Sequence, residues 1–338
     1  MKGKYQNVFF IFGIIVLGVM VSQLNFAEVW KGLQHAGYWT LAVIVLWAFL
    51  YLFNTSAWYI IIRSLQKQGG QTKDDEEYPF KPIPYAWLYK VTISGFALNY
   101  ATPGGLMGGE PYRVMALTPK IGAEKATASV LLYAMTHIFS HFWFWLLSCI
   151  LFILTQPINV FMGILLAIVV GFCILAIWFF LSGYKKGLAA RLMKLLSHIP
   201  FVKGWAKRFI EGHEEQLSTI DKQVASLHNQ NPRTFISVVL LELACRVCSA
   251  LEVMFILFVL FPHVNFITCI LIIAFTTLFA NLLFFIPLQL GGREGGFLIS
   301  ITELGLTANA GIFVALIVRI RELIWTAIGL LLIKIEKK

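Results

Sequence analysis

Asn99-Tyr-Ala-Thr-Pro103-Gly-Gly-Leu106-Met-Gly108-Gly-Glu110 and Asn281-Leu-Leu-Phe-Phe-Ile-Pro287-Leu-Gln-Leu290-Gly-Gly292-Arg-Glu294 repeat one pattern inside apolar sequence. Counted from the proline, Leu falls at +3, Gly at +5 and Glu at +7 in both, and an Asn precedes it by four or six residues. A helix in hydrocarbon cannot run straight through such a Pro/Gly cluster, and a carboxylate at that depth needs a partner or water. Paired interrupted segments in corresponding halves of a membrane protein point to a substrate site near the midplane.

Composition sets the class. The 338 residues are 59% hydrophobic and 13% charged, with mean hydropathy +0.78, where a soluble domain carries about a quarter charged residues. The apolar runs are too continuous for outer-membrane β-strands, which alternate over about ten residues. The expected fold is therefore an all-α polytopic membrane protein, a single membrane domain over 1–338. Net charge is +10, from 27 Lys+Arg against 17 Asp+Glu. Basic loops on the cytoplasmic face explain that excess without nucleic acid.

Full spans are expected at about 6–24, 39–62, 126–154, 158–182, 234–261 and 311–333, each near the ~20 residues a bilayer needs. The first reads as a retained span, since no small-residue cleavage site follows it. Segments 85–123 and 266–308 hold the repeated pattern and read as re-entrant or broken-helix hairpins. The 183–233 loop carries nine Lys/Arg, and apolar residues recur in it at helical spacing (Leu188, Leu192, Leu195; Leu217, Ile220, Val224). It reads as amphipathic helix on cytoplasmic headgroups. Both termini and the 63–86 loop belong on the same side. The first repeat, 39–154, and the second, 234–333, then have opposite orientation. The inner membrane of a cell is the expected location.

Ionisable residues within apolar sequence each cost a few kcal/mol unless paired. Glu110 and Arg113 follow the first break, and Arg293 and Glu294 lie in the second. Glu242 and Arg246 stand four apart on one helix face, with Glu252 beyond. Arg319 and Glu322 stand three apart in the last span; Arg321, between them, reads as snorkelling to an interface. The candidate substrate-binding residues are Asn99, Pro103, Gly104, Gly105, Gly108, Gly109, Glu110, Arg113, Glu242, Arg246, Asn281, Pro287, Gly291, Gly292, Arg293, Glu294, Arg319 and Glu322. Arg113, Arg246, Arg293 and Arg319 would offer planar forks to a phosphate. The plainer alternative, ion pairs that fasten the bundle, stays open. Coincidence with broken backbone favours a site for Glu110, Arg293 and Glu294.

Other signals are weaker. His137 and His141 stand four apart on an apolar span, but no carboxylate or Cys lies beside them at ligand spacing, so packing or hydrogen bonding is expected and no metal. Five cysteines, including Cys245-Arg-Val-Cys248, read as small buried hydrophobes. Tyr100 and Tyr112 read as interface anchors or core. The sequence has no GxSxG, no Walker loop and no HExxH, so no enzyme activity and no cofactor are expected.

Pro103-Gly-Gly-Leu-Met-Gly-Gly-Glu110-Pro-Tyr-Arg113 and Pro287-Leu-Gln-Leu-Gly-Gly-Arg293-Glu294-Gly-Gly-Phe297, at this separation, resemble the lysylphosphatidylglycerol synthase transmembrane region family. It is the flippase-like domain of the bacterial multiple peptide resistance factor. The resemblance covers essentially the whole chain and implies a bacterial or archaeal inner-membrane protein that moves lipids or lipid-linked headgroups between leaflets. Members that make aminoacyl lipids carry a soluble synthase domain after the membrane region. This sequence runs to Lys338 without one, so synthase activity is not expected. The expected partner is a membrane phospholipid or lipid-linked substrate, with homo-oligomerisation left open. A transporter of small polar or ionic solutes would use the same architecture, and a membrane-embedded transferase of lipid-linked groups is a further alternative.

Overall fold

A computed structural model of the chain describes residues 30–31, 34–67, 82–101, 108–186, 232–282 and 292–335. The expected first span, the amphipathic loop between Lys186 and Pro232, and Pro103, Gly104, Gly105, Pro287 and Gly291 lie outside these residues. The described chain is helical, as it must be where no water is available to satisfy backbone amides. In order the helices are α1 (Tyr38–Lys67), α2 (Tyr85–Ala101), α3 (Gly109–Ile121), α4 (Ala123–Thr155), α5 (Val160–Lys186), α6 (Pro232–Leu257), α7 (Phe266–Leu282), α8 (Gly292–Glu303) and α9 (Ala308–Ile335). The protein is an all-α polytopic membrane protein.

Continuous apolar runs give long helices, and the Pro/Gly clusters give short ones. By length and hydropathy α1, α4, Val160–Ser182 of α5 and α6 can cross a bilayer. Helix α9 matches them in length, 28 residues, but carries Arg319, Arg321 and Glu322 at its middle. The arms of the interrupted segments are shorter: 17 residues in α2 and 13 in α3, then 17 in α7 and 12 in α8. At ~1.5 Å per residue none of these four spans the ~30 Å hydrocarbon core unaided.

Each second arm turns into the following span at a glycine with φ +82°, Gly122 after α3 and Gly305 after α8. At Gly122, ψ 162° places the backbone in a region open essentially to glycine alone. Around Gly305 the Leu306 amide bonds Ile301 O at 3.1 Å and the Gly305 amide bonds Thr302 O at 3.0 Å, a Schellman ending that satisfies two terminal carbonyls.

The principal helix contacts come in matched pairs. Helix α1 packs on α6, α2 on α9 and α4 on α7; α3 packs on α4 as α8 does on α9, and α2 on α3 as α7 does on α8. Exchanging α1–α4 with α6–α9 leaves this set unchanged. Close approach at α2–α9 depends on a missing side chain, since a Cβ on Gly329 would stand 2.5 Å from Ala97 Cβ and 2.9 Å from Ile93 O. Small residues let helix backbones meet where lipid supplies no hydrophobic drive between helices. Helix α5, apolar all round, packs on α4 and otherwise presents Phe161, Ile168, Leu175 and Trp178 outward.

Candidate functional site

The first hairpin closes on its own carboxylate. Asn99 Oδ1 accepts from the Gly109 amide at 2.8 Å, satisfying one of the free N–H groups of the α3 first turn. Asn99 Nδ2 donates to Glu110 Oε1 at 2.9 Å. Arg113 Nη1 reaches the Glu110 oxygens at 3.0 and 3.3 Å, and Nη2 donates to Thr92 O at 3.3 Å. The Arg113 guanidinium, 1% exposed, lies 4.7 Å from the Phe96 ring centre, 5.2 Å from Tyr133 and 5.7 Å from Trp58. Ring faces attract a desolvated cation. Glycine makes the room: a Cβ on Gly95 would stand 2.3 Å from Arg113 Nε, and one on Gly109 2.1 Å from Gly95 O.

The second break feeds a different cluster. Arg293, in the first turn of α8, pairs with Glu322 of α9 and donates to the Tyr100 hydroxyl at 3.1 Å. Arg319 donates to Tyr100 at 3.2 Å, lies 3.6 Å from Glu322 and pairs with Glu294, its Nε at 3.1 Å. Tyr100 in turn donates to Glu322. One tyrosine hydroxyl thus accepts from two guanidinium groups and donates to one carboxylate, which uses its full capacity.

Two further carboxylates complete the polar interior. Glu252 receives both Arg321 Nε at 2.7 Å and Arg321 Nη2 at 3.0 Å, while that guanidinium covers the Trp47 ring at 3.9 Å. Glu242, wholly buried, receives Asn54 Nδ2 at 3.0 Å and bonds His137 Nδ1 at 2.7 Å. Arg246 donates to Ser140 Oγ at 2.7 Å and to His137 O at 2.6 Å. Glu242, Glu252, Glu322, Arg246, Arg293 and Arg321 all line one cavity of about 270 Å³, walled by α1, α2, α4 and α6–α9.

Of the residues expected from sequence, Glu242, Arg246, Asn281, Arg293 and Glu322 come together on this cavity. Glu294 and Arg319 adjoin it through Glu322 and Tyr100. Asn99, Gly108, Gly109, Glu110, Arg113 and Gly292 do not line it. Glu242 and Arg246, although one turn apart, take separate hydrogen bonds, Glu242 from Asn54 and with His137 Nδ1, Arg246 to Ser140 and the His137 carbonyl. Two local expectations change, for Arg321 and Tyr100. Arg321 does not snorkel: it is 6% exposed, held by Glu252 and Trp47. Tyr100 belongs to the ion-pair network rather than to an interface belt.

Asn54, Trp47, Ser140 and Thr276 were not legible as site residues. Asn54, a buried amide within an apolar span, carried the one available signal. His137 hydrogen-bonds within the bundle as expected, and among the described residues no group of three or more His, Cys, Asp or Glu could hold a metal. All five cysteines are free, four of them buried.

Apolar helices around a charged interior, entered by two interrupted segments, define a polytopic membrane protein with an intramembrane polar cavity. The family model of the lysylphosphatidylglycerol synthase transmembrane region matches residues 8–329, and the chain belongs to that family. Its function is accordingly membrane-lipid related. No curated protein and no solved structure matches the chain.

Proposed function

We propose that this protein is a lipid translocase, moving a phospholipid or lipid-linked headgroup between leaflets without chemistry of its own. The observation that carries the reading is the cavity of fixed charges inside an apolar bundle. A bare phosphate in hydrocarbon suffers a desolvation penalty of at least several kcal/mol. Guanidinium groups held by protein partners replace its hydration at the depth where water is absent, while the acyl chains stay in lipid. The exchangeable helix contacts support two repeats, 39–154 and 234–333, of opposite orientation, with hairpins 85–123 and 266–308. Basic loops support an inner-membrane location with both termini cytoplasmic.

In mechanism, the Tyr100 cluster ties α2 to α8 and α9, so headgroup passage requires these contacts to part and reform. The test is translocation of fluorescent phospholipid in proteoliposomes, read by dithionite quenching. Wild type should exceed protein-free vesicles, and Glu242→Gln should lower the rate at least tenfold. Movement no faster than in empty vesicles, together with transport of small polar solutes, would replace the lipid reading by the solute one.

A further inference from the structure

The carboxylates of the cavity are all engaged by donors. Glu242 has Asn54 and His137, Glu252 has the fork of Arg321, and Glu322 has Tyr100, Arg293 and Arg319. Of the groups left over, Arg246 and Trp47 can only donate. Arg246 is the arginine of this cavity with no carboxylate within 4.0 Å among the described residues. Its Nε and Nη2 are fixed along the 137–141 turn of α4 by Ser140 and the His137 carbonyl. That leaves the end of the fork, Nη1 and the second N–H of Nη2, without a partner among the described residues, three of five donors in all.

Four more polar atoms on residues of the same wall are buried without a hydrogen bond among the described residues: Trp47 Nε1, His141 Nδ1, Thr276 Oγ1 and Glu322 Oε1, the last of which is ion-paired with Arg293. Trp47 can only donate, and Thr276 is 1% exposed. Burying such groups unsatisfied opposes folding, and a bound ligand that supplies their missing partners offsets that cost. His141 stands beside Ser140, on the turn that pins Arg246.

We infer that Arg246, with His141 alongside it, is the anion subsite of the cavity, and that it selects an anionic phosphodiester headgroup over a cationic one. The inference rests on the lipid-translocase reading and names the substrate class for that site. A phosphodiester presents two unesterified oxygens to the open end of a guanidinium fork. A headgroup ammonium would meet carboxylates already engaged by donors and the three guanidinium groups of Arg246, Arg293 and Arg321, of its own sign.

The experiment uses the full chain in proteoliposomes and in detergent. Translocation is compared for fluorescent phosphatidylglycerol and for its lysyl ester, a cationic lipid on the same backbone. Phosphatidylglycerol should move at least tenfold faster, and Arg246→Gln should abolish that difference by slowing it. Ser140→Ala, which frees the Arg246 Nε while keeping the charge, should slow it less, about threefold. Equal rates for the two lipids, or Arg246→Gln matching wild type in rate and preference, would overturn the inference while the translocase stands.

Binding separates lipid from soluble anion. Thermal stabilisation of detergent-solubilised protein is measured with phosphatidylglycerol, with water-soluble glycerophosphoglycerol and with inorganic phosphate. Stabilisation by the first two, lost in Arg246→Gln, confirms a phosphodiester subsite; by the lipid alone, it assigns the subsite to lipid. Stabilisation by inorganic phosphate alone, or undiminished by Arg246→Gln, removes it. If no lipid moves at all, the translocase reading falls, and the subsite is decided by these binding arms.

Discussion

The Tyr100 hydroxyl at the end of α2 lies 3.1 Å from Arg293 Nη1 in the first turn of α8, so the two interrupted segments meet through one side chain. The same hydroxyl accepts from Arg319 and donates to Glu322. Three charged groups from two helices, α8 and α9, therefore depend on one phenol of α2. Tyr100→Phe removes the shared acceptor and donor. Hydrogen bonds to charged groups contribute about 1.5–3 kcal/mol, less when other partners remain. The unfolding temperature in detergent should fall by several degrees, and translocation should speed up if parting of the hairpins limits the rate. An unchanged unfolding temperature would mean that the cluster does not hold the arms together.

The Glu252–Arg321 pair tests whether interior charges fasten the bundle. Removing one member of a buried pair leaves an uncompensated charge and costs about 3–5 kcal/mol. Glu252→Gln and Arg321→Gln should each be strongly destabilised, and the double substitution should lose less than their sum. Additive losses in denaturant unfolding would show that the two groups are not coupled.

Helix packing gives a contrast between two glycines. Gly329→Val would drive a side chain into Ala97 Cβ and Ile93 O, at 2.5 and 2.9 Å from Cβ alone, and should yield little monodisperse protein. Gly295→Ala meets nothing within 4 Å, and alanine favours helix by about 1 kcal/mol. Size-exclusion chromatography should separate them; equal behaviour would contradict the α2–α9 crossing.

Gly122 tests the corner between α3 and α4. At φ 82° and ψ 162°, alanine carries a strain of about 1–3 kcal/mol. Gly122→Ala should lower the unfolding temperature, whereas Gly171→Ala, with open space around it, should not. Equal stability of the two variants would argue against that backbone geometry.

Much of the architecture was written in local chemistry. Apolar run length sets which helices are long, Pro/Gly clusters set where they break, and both effects act within a few residues of their cause. The same locality made the Glu110–Arg113 pair readable, three residues apart and 3.0 Å in space. What no local rule could supply is which distant groups share a charge. Glu242 meets Asn54 across 188 residues and His137 across 105, Arg321 meets Glu252 across 69 and Tyr100 meets Glu322 across 222. Helical periodicity placed Glu242 and Arg246 on one face, but tertiary packing brought His137 and its turn of α4 against both, so that each bonds across to α4. Sequence alone thus determined a membrane bundle with charged, interrupted segments; tertiary packing alone decided which charges close on each other and which one stays available in the cavity.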